Sequence, residues 1–169
     1  MKIKRLCIIS LLLSAAIVLN IVESFIPMFI PGVKLGLANC VILLILYEMK
    51  VKEALFVMIL RIILVGIFRG NIGQLSWLMS LSGGCLSFII MLLFSRLKFF
   101  SVVGTSVLGA IFHCVGQICI AIIVLETSQF IYYLPVIAIL STLTGIFTGI
   151  LCKTLIQRKI ISILLNESH

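Results

Sequence analysis

Thr105, Gly109, His113, Gln117 and Ala121 recur at four-residue intervals through a long apolar run, so a helix there aligns them on one face. That face carries a His–Gln pair where polar groups are costly unless they meet a cavity or a polar partner. Two readings stand: an interhelical hydrogen bond from His113 to a neighbouring hydroxyl, or contact with a ligand. Arg61 falls near the centre of another apolar run, where a cation costs roughly 3 kcal/mol or more unless it pairs or is solvated. Glu23 is the acid nearest the outer end of the first run, and Asn20 and Asn39 could complete a polar pocket with it. A Glu23–Arg61 bridge and a substrate clamp are both compatible with these positions. Lys34 and Arg69 are expected at the outer rim, beside Asn71 and Gln74.

Several chemistries are absent from the sequence. The chain contains no aspartate, so it has no Asp-rich motif to hold Mg²⁺ against a diphosphate. It has five glutamates, none closer together than Glu48 and Glu53. There is no G-x-x-x-x-G-K-[ST] loop, no Ser–His–Asp set and no His–Glu-x-x-His pair. No catalytic residue, metal site or cofactor is expected. Cys7, Cys40, Cys85, Cys114, Cys119 and Cys152 form no Cys-x-x-Cys pair and have no His or carboxylate at a ligand spacing. They are expected to pack as buried, unpaired thiols.

The elements that position these residues follow from composition. The chain is 63% hydrophobic and 11% charged, with a mean hydropathy of +1.39. Such a chain cannot cover a water-soluble surface, so its apolar faces must meet lipid. The expected fold is all-α, a single transmembrane domain over residues 1–169 with a bundle of six helices. The spans are placed at about 6–22, 35–47, 54–68, 75–94, 101–125 and 131–152. The segment with Pro27 and Pro31 is expected to be re-entrant or interfacial. The start, Lys2, Lys4 and Arg5 before Leu6–Leu19, has the look of a signal peptide. No small-x-small site follows, and the apolar run continues to Val22, so a retained first span is expected.

Basic residues set the orientation. Lys2, Lys4, Arg5, Lys50, Lys52, Arg96, Lys98, Lys153, Arg158 and Lys159 fall on one side, and Lys34 and Arg69 on the other. That asymmetry predicts both termini inside, in a bacterial cytoplasmic membrane. The net charge of +8 sits at membrane edges near anionic lipid, and no soluble basic face exists for nucleic acid. Ser141, Gly145 and Gly149, like Ser76, Ser80 and Gly84, are small residues four apart, suited to packing within the bundle or to docking a partner. Leu155, Ile156, Ile160, Ile163 and Leu164 form either an amphipathic extension or a frayed helix end.

Five segments together resemble a known family: ESFIPMFIPGVKLGLAN (23–39), LRIILVGIFRG (60–70), SLSGG (80–84), HCVGQ (113–117) and YYLP (132–135). They are similar to the Gx transporter family, also labelled heptaprenyl diphosphate synthase component I. The resemblance spans about residues 5–158, with PGVKLGLAN its most specific part. That family is grouped with the substrate-binding S components of energy-coupling factor transporters. The resemblance implies a six-helix capture protein without a motor, partnered by a transmembrane coupling protein and a pair of cytoplasmic ATPases. Toppling in the membrane would release the substrate inward. In such proteins small residues four apart on the first helix dock on the coupling protein; here Ser10 and Ser14, or Ala16 and Asn20, hold that spacing. Where the family pattern often has Asn after the His, this chain has Cys114.

Three functions follow as expectations. As an uptake component, the chain would line a pocket open to the outside with Glu23, Lys34, Asn39, Arg61, His113 and Gln117. Its substrate would be small: Lys34, Arg61 and Arg69 against Glu23 point to an anionic or zwitterionic molecule, and apolar walls to a vitamin-like or isoprenoid-linked one. As an accessory subunit of a heptaprenyl diphosphate synthase, it would bind a soluble, Asp-rich enzyme. A scaffold without a ligand would instead fill the space between its helices with side chains.

Overall fold

Long apolar runs surrounded by hydrocarbon can satisfy their backbone only internally, and here each run becomes a helix. The computed structural model describes residues 2–25, 34–97, 100–159 and 161. Among them the elements are α1 (Lys2–Ser24), α2 (Asn39–Glu48), α3 (Val51–Arg69), α4 (Leu75–Arg96), α5 (Val102–Leu125) and α6 (Leu134–Gln157). A 3-10 turn, Ser128–Tyr133, leads into α6, and Pro135 stands in the first turn of that helix, where its missing N–H is not needed. All described secondary structure is helical. The segment with Pro27 and Pro31, the basic residue Lys98, and Ile160, Ile163 and Leu164 of the expected extension lie outside the described residues.

Four helical stretches are long and apolar enough to cross a membrane: Ile3–Ser24, Leu75–Arg96, Val102–Leu125 and Ser128–Gln157. Their outward faces carry Leu11, Val18, Ile123, Ile139 and Phe147, all exposed, a surface far more apolar than water tolerates. The second and third expected spans differ. α2 has only 10 residues and begins inside the bundle, seven of them buried. α3 has the length, but Lys52, Glu53, Arg61 and Arg69 lower its apolarity.

Two polar contacts fix how α1 and α3 lie. Arg5 pairs with Glu53 at 2.6 Å, and Arg69 Nη1 donates to Ser24 Oγ at 2.8 Å. Both helix starts therefore share one end and both helix ends share the other, which makes the helices parallel.

The other half of the bundle is built on close approach. A Cβ on Gly116 would stand 2.9 Å from the Cα of Gly83, so α4 and α5 touch backbone to backbone. Gly145 and Gly149 do the same on α6, where a Cβ would come within 2.8 Å of Val107 Cα and Val103 Cα of α5. Ser141, on the same stripe, is fully buried with its hydroxyl 2.7 Å from Cys114 Sγ. The α6 stripe is thus used for packing within the chain, and α4's Gly83 likewise. All six cysteines are free. Cys40, Cys114 and Cys152 pack inside as expected, whereas Cys7 and Cys119 are exposed on the outward faces of α1 and α5.

Candidate functional site

The polar residues converge on a short non-helical strand of chain, Lys34–Ala38, that enters the bundle ahead of α2. Gly36 allows this path: its φ is +89°, a left-handed conformation that residues with a Cβ rarely adopt. A Cβ there would also lie 2.9 Å from Asn39 Nδ2 and 3.4 Å from His113 Cδ2. Backbone groups this deep need partners, and side chains from two helices supply them. Gln117 of α5 makes a two-point clamp on Lys34, accepting from its N–H at 2.8 Å and donating to its C=O at 3.1 Å. Cys114 Sγ donates to the same carbonyl at 3.6 Å. At the end of α1, Glu23 Oε1 accepts from the N–H of Gly36, and from that of Leu37 at 3.3 Å. The Lys34 ammonium donates to Asn20 Oδ1 at 2.6 Å.

Below this segment lie Arg61 and His113. Asn39 links the layers, donating from Nδ2 to Ser87 Oγ at 3.0 Å and accepting from Arg61 Nη2 at 3.4 Å. Arg61 is only 2% exposed, and its Nε has no partner. His113 is 4% exposed, and its Nδ1 has no partner either. α4 packs closely against both, because Gly83 and Gly84 carry no side chains and their neighbours fill that space. A Cβ on Gly83 would lie 3.1 Å from His113 Cε1, and one on Gly84 would lie 3.9 Å from Arg61 Nη2.

Toward the rim, a cavity of about 10 Å³ opens between α3 and α4, room for a single water. Asn20, Lys34, Gly66, Asn71, Trp77 and Ser80 are among its walls. Trp77 Nε1 and Asn71 Oδ1 lack partners. The indole occupies the space Gly66 leaves, since a Cβ there would come within 2.6 Å of Trp77 Cδ1.

Glu23, Lys34, Asn39, Arg61, His113 and Gln117 are therefore brought together, but all six are buried rather than lining an open mouth. The reason is the Lys34–Ala38 segment, which lies over them and is hydrogen-bonded to Glu23 and Gln117. Gln117 and Glu23 meet main-chain groups, and Arg61 makes no ion pair with Glu23 within 4 Å among the described residues. No hydroxyl partners His113 Nδ1. Ser10 and Ser14 lie on the exposed face of α1, Ser14 satisfying its hydroxyl on the Leu11 carbonyl at 2.8 Å. Ala16 and Asn20 are buried, which removes that pair as a docking surface. The residues that sequence reasoning missed are Gly36, Ser87, Trp77 and Gly66. Of these only Gly36 left a trace, inside the PGVKLGLAN segment that is the most specific part of the resemblance.

A family model described as heptaprenyl diphosphate synthase component I matches residues 12–155. No curated protein matches the chain, and no solved structure does.

Proposed function

The chain belongs to the heptaprenyl diphosphate synthase component I family, and from that premise we propose that it is a substrate-binding component of an energy-coupling factor type uptake transporter. It spans a bacterial cytoplasmic membrane six times with both termini inside. It is not an enzyme, since prenyl elongation needs acidic side chains to hold Mg²⁺ on diphosphate and the sequence has no aspartate. The observation that carries the reading is the pair of buried, unpartnered atoms Arg61 Nε and His113 Nδ1. They lie under a segment held by side-chain hydrogen bonds rather than by helix. Groups so costly to bury are what a ligand would complete. Glu23, Lys34, Asn39, Arg61, His113 and Gln117 form and cover that chamber, which takes a small anionic or vitamin-like molecule. Ser10 and Ser14, on the outward face of α1, dock on a transmembrane coupling protein that a pair of cytoplasmic ATPases drives.

The family's description favours a second reading, a membrane accessory subunit of a heptaprenyl diphosphate synthase. Affinity purification from gently solubilised membranes separates the two. Recovery of a coupling protein with its ATPases, lost on Ser10→Leu with Ser14→Leu, supports uptake. Recovery of an Asp-rich soluble synthase whose rate changes with this chain present replaces uptake with the accessory role.

A further inference from the structure

Among the described residues the buried charged side chains are Glu23, Lys34 and Arg61, two cations against one carboxylate. Each is already committed except Arg61. Glu23 serves the Gly36 and Leu37 amides, and Lys34 Nζ serves Asn20. Arg61 has only an amide oxygen at 3.4 Å. Among the described residues no second acid is buried with it: Glu48 and Glu53 flank the α2–α3 turn and Glu126 follows α5. One positive charge in excess in a low-dielectric interior is strongly unfavourable.

Resting on the capture reading above, we infer that the ligand of this buried site is a monoanion, whose charged group meets the unpartnered Arg61 Nε and His113 Nδ1. One negative charge brings the buried set to neutrality. A zwitterion would leave the excess positive charge in place, and a diphosphate would overshoot it. Carboxylates and phosphodiesters share the required charge, the first from a soluble substrate and the second from a lipid headgroup.

The chain has one tryptophan, and Trp77 borders the adjoining cavity, so its fluorescence follows unfolding close to the site. Wild type, Arg61→Met and Arg61→Lys are placed in phosphatidylcholine nanodiscs. Each is heated alone, with millimolar sodium hexanoate, and with hexanamide at the same concentration; wild type is also heated in phosphatidylglycerol nanodiscs. Ligand-free Arg61→Met is expected to unfold at a higher temperature than ligand-free wild type, because an unpaired charge has been removed. Hexanoate should raise the wild-type midpoint by several degrees and hexanamide should not. Arg61→Met should lose that response, and Arg61→Lys should keep part of it. A response to phosphatidylglycerol alone keeps the monoanion but assigns it to lipid, against the capture reading. A lower midpoint for ligand-free Arg61→Met, or a wild-type midpoint that neither monoanion moves, overturns the inference. A neutral ligand found in a complex with coupling ATPases would sink the inference and leave uptake standing.

Discussion

Gly36 and Gln117 carry the local geometry of the buried polar cluster, one by conformation and the other by hydrogen bonding. Gly36→Ala forces a Cβ into a left-handed position, worth about 1–2 kcal/mol, and crowds Asn39 and His113. A lower thermal midpoint and faster labelling of a cysteine placed at Leu37 are expected. Gln117→Ala leaves the N–H of Lys34 without a partner and its carbonyl with only the weak Cys114 thiol. Orphaned buried groups of this kind cost about 1–3 kcal/mol, read as a loss of thermal stability that Gln117→Glu only partly restores, since a carboxylate cannot donate to the carbonyl. The sequence marked Gln117 correctly as a buried polar residue on the His113 face, because four-residue spacing reports facing directly. Its partner was hidden, because main-chain groups of a distant segment leave no pattern in side-chain types.

Helix positions were legible because apolar runs of bilayer length have few alternatives to helix; α4 at Leu75–Arg96 and α5 at Val102–Leu125 fall within a residue or two of the expected spans. α2 was not legible in this way. Its apolar run begins at 35, yet helix starts only at Asn39, because Glu23 and Gln117 outside the run hold residues 34–37 in another conformation. The small residues mattered through contact. Gly116→Leu would drive its side chain into Ser82 and Gly83, whose backbone atoms lie 2.9 Å from the new Cβ. Overpacking costs about 1–3 kcal/mol in a well-packed interior, so reduced yield and a lower midpoint are expected. At the other end of the bundle, burial raises the Glu53 carboxyl, but the Arg5 hydrogen bond and the Lys50 amide outweigh it and hold the group below its usual 4.5. A depressed carboxyl contributes stability above its unfolded value and loses it as pH falls through the folded one. The α1–α3 contact should therefore weaken below about pH 4 in wild type and show no such step in Arg5→Met, followed by labelling of Cys7.

At the scale of the whole molecule, charge and apolarity were plain in the sequence, whereas the burial of the polar cluster depended on the tertiary path of one short segment. The parallel arrangement of α1 and α3 accords with the distribution of basic residues. Fusions of a phosphatase active only outside the cytoplasm should be inactive at Lys50 and active at Asn71; the reverse pattern would invert the orientation. The proposed capture role depends on Arg61 and His113 being completed by something the chain does not supply. Native mass spectrometry of gently solubilised protein tests this most directly. A small molecule bound one to one in wild type, and absent from both Arg61→Met and His113→Ala that remain folded, is the expected spectrum. A bare wild-type mass under every mild condition, or an adduct that survives both substitutions, would contradict it.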